Sequence, residues 1–233
     1  MQLLDDGSVR HALGIGLTIA MGAACVSPVA AQETAREVWP ELDVWVQLSP
    51  KVKLFFPISV SRSRETQYTE ALIGARADYR FNRYVSARAG YGYLWSISDK
   101  NNNVDEPYHE HRPIGELSLR AFPGKSLVLF DRNRVDFRFI NGDYSYRYRN
   151  RVRLERTWSA DDEASGRAVT PYAMEEVGYD SRYDTFNRSR FSVGVETQFT
   201  ETVMVDLYLV RQDDSRASIE RLYALGLALN LTY

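Results

Sequence analysis

The chain has 233 residues, with 29 lysines and arginines against 31 aspartates and glutamates, a formal net charge of -2. That balance excludes a globally cationic surface of the kind that holds nucleic acid. Tyr 15 and Phe 10 make it aromatic, yet its mean hydropathy is negative, which excludes both a bundle of membrane helices and a disordered chain.

The first segment reads as an export signal. "ALGIGLTIAMGAA" (Ala12 to Ala24) has the length of an apolar h-region, and the small residues Val29 and Ala31 suit cleavage after Ala31. Residues 1–31 are therefore expected to be removed. Asp5 and Asp6 offset Arg10 in the n-region, so translation from Val9, followed directly by Arg10 and His11, is an alternative start. The single cysteine, Cys25, lies in this segment. Gly22 makes "GAAC" a poor lipoprotein box, and loss of the signal leaves the mature chain without thiol or disulfide chemistry. Beyond Ala31 no apolar run approaches the roughly 18 residues of a membrane helix. A mature chain that spans a bilayer must then do so as a closed barrel, because open strand edges cannot be solvated in hydrocarbon.

Residues 32–41 read as a short N-terminal segment, and 42–233 as the barrel. Alternating polarity predicts strands at 42–48, 52–63, 69–81, 84–97, 109–122, 127–140, 145–158, 169–180, 187–200, 202–212 and 220–233, with no convincing helix. Most run about 11 to 14 residues, right for a tilted membrane strand with some overhang. In 69–81 one face holds Ala71, Ile73, Ala75, Ala77, Tyr79 and Phe81. The other carries Arg76, Asp78 and Arg80. Strand 84–97 sets Val85, Ala87, Ala89, Tyr91, Tyr93 and Trp95 against Ser86 and Arg88. Strand 109–122 sets Leu117, Leu119 and Ala121 against Glu110, Arg112, Glu116, Ser118 and Arg120. In 127–140 the polar face is Arg132, Arg134, Asp136 and Arg138.

"RYRNRVRLERTW" (Arg147 to Trp158) is the sharpest case. Arg147, Arg149, Arg151, Arg153 and Glu155 share one face, with Tyr148, Val152 and Leu154 on the other. Strand 187–200 sets Arg188, Arg190 and Glu196 against Phe191, Val193, Val195 and Phe199. The polar rows are expected to line a wet lumen, with Asp78, Glu110, Glu116, Asp136, Glu155, Glu196 and Asp206 leaving an excess of arginine. The chosen cation is telling: a solvent-facing surface normally mixes lysine with acids, whereas guanidinium makes planar, multidentate pairs.

The last strand, "YALGLALNLTY", puts Tyr223, Leu225, Leu227, Leu229, Leu231 and Tyr233 on one face. It resembles the assembly signal of outer-membrane barrels, which implies the barrel-assembly machinery as a partner. With the C-terminus at the periplasmic side, Phe81, Trp158, Phe199 and Tyr233 fall at the lower ends of strands. Tyr93, Trp95, Phe139, Tyr146 and Tyr179 fall at the upper ends, as two girdles would. Two features sit awkwardly: "SADDEASGR" (159–167) becomes a long lower turn, and "NGD" (141–143) a short upper one. Eleven segments also conflict with the even strand number of single-chain bacterial barrels: ten result if 42–48 is not a separate spanning strand and twelve if one has been missed, so a barrel of about 10–12 strands is expected.

The run "GYGYLW…RPIGELSLR…DRNRVDFRF…YRYRNRVRLE…NRSRFSVGVETQF" resembles the bacterial outer-membrane barrel family catalogued as domain of unknown function 2490. The matching stretches are Arg112-Pro113, Asn133 to Arg138, Arg147 to Arg151 and Asn187 to Arg190, in order along nearly the whole mature chain. The resemblance implies an antiparallel transmembrane β-barrel in the bacterial outer membrane, in contact with its lipid, and it assigns no activity. Small arginine-lined oligosaccharide porins are similar in style.

Three functions fit this reading. The lumen arginines suit a narrow channel preferring small anionic solutes such as acidic sugars, carboxylates or phosphates. They equally suit a salt-bridge lattice that fills a narrow barrel. An envelope hydrolase is the alternative, and His109 and His111 would be its histidines. They share a face near the rim, with Glu110 pointing away and no partner serine evident from spacing. No metal site, cofactor or catalytic residue is expected, and "NRS" at Asn187 reads as a chance sequon.

Overall fold

The computed structural model describes residues 34–63, 69–97, 108–124, 126–159, 167–217 and 219–233. The expected export signal, 1–31, and most of the loops 98–108 and 159–167 lie outside these residues. The described chain forms β1 (Thr34–Ser49), β2 (Val52–Ser63), β3 (Thr69–Arg80), β4 (Val85–Ile97), β5 (His109–Ala121) and β6 (Leu127–Ile140). There follow β7 (Asp143–Arg156), the two-residue β8 (Trp158–Ser159), β9 (Ala168–Asp180), β10 (Thr185–Gln198), β11 (Val203–Asp214) and β12 (Arg221–Thr232). The long strands are mixtures of β-branched, aromatic and arginine residues alternating in polarity, which suits a pleated ribbon with two different faces.

Each long strand pairs antiparallel with the next, β7 joining β9 directly while β8 adds two pairs to β9. The ring closes where β1 lies parallel to β12, from Thr34↔Arg221 to Trp45↔Thr232. Eleven long strands thus fall within the expected ten to twelve, and the even number usual for single-chain bacterial barrels does not hold here. An odd number leaves the first and last strands pointing the same way, so they can join only in parallel. The seam is tied at its end by Tyr233, whose N–H donates to the Trp45 carbonyl at 2.9 Å and whose carbonyl accepts from the Gln47 N–H at 2.7 Å.

The first strand also starts at Thr34, eight residues before the alternation became legible. In 34–41 both faces mix polarity, with Glu37, Trp39 and Glu41 on one and Arg36, Val38 and Pro40 on the other. Pairing with β12, not local pattern, holds this stretch extended. The short turn at Asn141-Gly142 takes positive φ at both residues, 50° and 100°, the geometry of a tight hairpin for which Asn-Gly is the preferred pair. It lets β7 begin at Asp143.

Alternation sends one residue in two outward, and the outward row is apolar on most strands. Val193, Val195, Leu207, Leu209, Leu225 and Leu227 are each between 41% and 59% exposed. Many exposed rings lie toward the two ends: Phe81, Tyr84, Phe122, Trp158, Phe199 and Tyr233 at the end where β12 finishes (the C-terminal end), and Phe139, Tyr144, Tyr146 and Phe186 toward the opposite end.

Inside, one cross-strand row alternates rings and glycines: Tyr172, Gly194, Tyr208, Gly226 and Trp39, taken across β9, β10, β11, β12 and β1. Each tyrosine lies over a neighbouring glycine. A Cβ on Gly226 would fall 2.0 Å from Tyr208 Cζ, and one on Gly194 2.6 Å from Tyr172 Cζ. Gly226→Ala is therefore expected to destabilise the barrel by about 1–3 kcal/mol through overpacking, read as a lower urea midpoint. An unchanged midpoint would mean that the Tyr208 ring is not seated there.

Candidate functional site

A cavity of about 1210 Å³ runs along the interior, its lining reaching from Gln47, Lys51, Gln198 and Thr232 at the C-terminal end to Tyr108, Arg182 and Arg216 at the other. Period-2 alternation brings to it even-numbered residues of β3–β6 and β10 and odd-numbered residues of β7. Arg76, Arg80, Arg88, Arg112, Arg120, Arg132, Arg134, Arg138, Arg147, Arg149, Arg151, Arg153, Arg188, Arg190 and Glu196 all line it. Glu155 borders a smaller space near the C-terminal end with Arg120 and Arg153.

Glu116 and Asp136 are not on the cavity surface. They belong to a layer of carboxylates beneath the guanidinium groups: Glu110, Asp136 and Asp180 are at most 1% exposed, Glu176 3% and Glu116 8%. Glu110 accepts from Arg112 at 2.6 Å and from Arg138 at 2.7 and 2.8 Å. Asp136 accepts from Arg134 at 2.7 Å and Arg149 at 2.6 Å. Glu176 is met by Arg132 at 2.7 Å, Arg151 at 2.9 Å, Arg149 at 3.5 Å and Arg190 at 3.9 Å. Asp180 binds Arg138, Arg147 and Arg182 at 3.2, 3.0 and 2.8 Å. Glu116 lies 3.6 Å from Arg88 and 3.8 Å from Arg132. Ten arginines thus converge on five carboxylates, and the surplus guanidinium charge faces the cavity. Arg182 belongs to the β9–β10 turn, and its hydrogen bond to Asp180 holds it protonated beyond the ordinary arginine range.

The wall formed by β11, β12 and β1 has a different chemistry. Tyr172 donates to Asp206 at 3.0 Å, Tyr208 donates to Glu41, and Asp43 faces the same space. Trp45 stacks on Phe55 with ring centroids 4.1 Å apart, and Arg88 lies over both rings. Trp39 carries the Arg190 guanidinium at 5.0 Å. In the eleven-strand ring β1 is diametrically opposed to β6 and β7, so carboxylates and indoles face the densest arginine rows across the lumen.

Several of these groups escaped sequence reasoning. Glu176, Asp180, Asp214, Glu41 and Asp43 add to the acids first counted, so the arginine excess over the whole interior is smaller than expected and is concentrated on one wall. Nothing in "YAMEEVGYD" says which of Glu175 and Glu176 turns inward; the register of β9 decides it. Glu41 and Asp43 belong to the half-hidden β1. Asp214, buried at 4%, accepts from Arg188 at 2.6 and 2.8 Å and from Asn187 at 3.0 Å. Asn187 occupies a bulge between Phe186 and Arg188. Its buried amide is thus committed to Asp214.

His109 and His111 lie outside the lumen. His109 Nδ1 is 2.8 Å from the Tyr93 hydroxyl, and His111 contacts the Tyr91 hydroxyl, while Glu110 between them turns inward. Tyr223, Leu225, Leu227, Leu229 and Leu231 occupy the outer face of β12, and Tyr233 is 68% exposed beyond it.

Removing a shared carboxylate strands several buried cations, a loss of about 3–5 kcal/mol. Glu176→Ala is expected to destabilise by that order in urea unfolding, whereas Arg211→Ala, which breaks an exposed pair with Asp213, should cost about 0–1 kcal/mol. Equal effects would mean that the buried layer does not hold the wall.

No curated protein matches the chain. The model of the family described as "Protein of unknown function (DUF2490)" matches residues 36–223, from the start of β1 into β12. The chain is a member of the DUF2490 family.

Proposed function

We propose that the protein is an integral barrel of the bacterial outer membrane that passes small anionic solutes through a narrow lumen. Residues 1–31 act in this reading as the export signal, and the outer face of β12 as the signal read by the assembly machinery. The outward apolar rows between two belts of rings support the location, since water would disfavour so much exposed aliphatic surface. Strands of 12 to 16 residues suit it as well: tilted by about 45°, a twelve-residue strand rises roughly 28 Å, close to the hydrocarbon thickness of a bilayer.

The observation that carries the solute preference is the stacking of charge in the wall. Five carboxylates are buried beneath ten arginines, so a solute in the cavity meets guanidinium rather than carboxylate along that side. Arg76, Arg80 and Arg120 line the cavity without an ion pair among the described residues. Arg76 lies over the Phe55 ring and Arg120 over Phe130. They offer forked donors for a carboxylate or phosphate. Glu41, Asp43 and Asp206 on the facing wall oppose this, so the preference is graded rather than absolute. Charge pairing within the wall and conduction beside it are compatible, because the lattice occupies the wall and leaves the cavity.

Reconstituted into a planar bilayer under a salt gradient, the protein is expected to give a reversal potential on the anion side. Replacing Arg76, Arg80 and Arg120 by alanine should lower the anion-to-cation permeability ratio, and Asp43→Asn should raise it. Cation preference, or no conductance, would remove the channel. The location is tested separately: the processed chain, starting at Gln32, is expected in the outer-membrane fraction and soluble only with detergent.

A further inference from the structure

Outward arginines concentrate on one arc of the barrel. At the end opposite the C-terminus, Arg36 on β1, Arg62 on β2, Arg211 on β11 and Arg221 on β12 point outward, each within three residues of its strand end. The four strands are neighbours, and the parallel seam runs through the middle of them. Tyr223 stands between Arg36 and Arg211 in one cross-strand row, with Arg221 two residues before it on β12. Arg62 lies opposite Val38, one row further along. Asp213 accepts from Arg211 at 2.9 Å and from Arg221 at 2.8 Å, so one carboxylate serves two guanidinium groups and leaves most of their donors over. Glu220 adjoins them in the β11–β12 turn. Among the described outward groups of this arc, four arginines therefore meet two acids. At the same end of β3–β7, β9 and β10 the described outward strand positions carry no lysine or arginine.

Toward mid-barrel the same four strands present aliphatic side chains: Val38, Ile58, Leu209 and Leu225 are each 44–59% exposed. The arc is thus amphipathic, cationic at the strand ends and apolar beneath. The Tyr223 ring lies at the boundary, the place an amphipathic ring takes at a membrane interface. Given the membrane location proposed above, on which this inference rests, we propose that the arc is a docking surface for a phosphorylated lipid. The lipid phosphates lie among the four arginines, and the acyl chains run along Leu209, Leu225 and Val38. Guanidinium forks match phosphate oxygens two at a time, and anionic head groups attract cations held at the leaflet surface. A free inorganic anion has no use for the aliphatic rows, and a lipid without net charge has little for the arginines. Acyl chains laid across β12 and β1 also cover the parallel seam.

The test is native mass spectrometry of the full chain in detergent with three probes: bisphosphorylated lipid A, phosphatidylethanolamine and inorganic phosphate. Lipid A is expected to bind at least about tenfold more tightly than phosphatidylethanolamine, and inorganic phosphate should not displace it. The Arg36→Gln/Arg62→Gln variant is expected to lose about tenfold in lipid A affinity. Arg211→Gln, on a different strand, should weaken binding as well. Both should keep the heat-dependent gel shift of a folded barrel. Arg156→Gln, on β7 at the other end and stacked over Trp158, should bind like the parent. Equal retention of the two lipids, displacement by inorganic phosphate, or undiminished lipid A binding by either folded patch variant would each overturn the docking surface. A folded chain that is soluble without detergent would instead overturn the membrane reading itself.

Discussion

Glu176 receives arginines from β6, β7 and β10 while standing on β9. Glu110, Asp136 and Asp180 do the same on a smaller scale. A carboxylate removed from water is tolerable only when its lone pairs are filled by well-placed donors. The planar guanidinium fills them while leaving donors over. Glu176 and Asp180 therefore tie several strands at once, and Glu110 and Asp136 each tie their own strand to one neighbour. The interior wall is set largely by this shared pairing; among the described residues the buried apolar cluster is a small one around Tyr172, Tyr208, Val210 and Ala224, with Phe55, Leu94 and Ile114 buried elsewhere.

The same pairing decides what the lumen presents. Because the acids lie below and the arginines above, neutralisation within the wall does not erase its field at the cavity surface. Across the ring the order is reversed, with Glu41, Asp43 and Asp206 exposed to the cavity beside Trp39, Trp45 and Tyr208. The two walls thus give the cavity a transverse polarity, guanidinium on one side and carboxylate on the other.

Closure is the second constraint. Eleven long strands, each antiparallel to the next, return to the start in parallel, and a parallel pair has slightly weaker hydrogen bonding per residue. Twelve register pairs between β1 and β12, and the two backbone bonds of Tyr233, compensate by length. The glycine-and-ring row crosses this seam, with Trp39 of β1 set against Gly226 of β12, so packing inside the barrel reinforces pairing at its least regular joint.

Strand identity, strand limits to within a few residues except at the start of β1, and the inward turn of the arginine rows follow from the amino-acid sequence by itself. A period of two is a local property, and each strand displays it without reference to its neighbours. The DUF2490 motifs are legible for the same reason, since "RYRNR" and "NRSR" are runs within single strands. Only the tertiary structure decided the rest. Arg132 and Glu176 are 44 residues apart and meet through strand adjacency. Glu176 rather than Glu175 turns inward because of the β9 register. The mixed pattern of 34–41 becomes a strand because β12 lies beside it, and the count of eleven rests on that contact. The outward pairings of Asn150 with Asp131 and of Ser189 with Glu175 are likewise invisible until β6, β7, β9 and β10 are laid side by side, because each residue looks like a single interruption in its own strand.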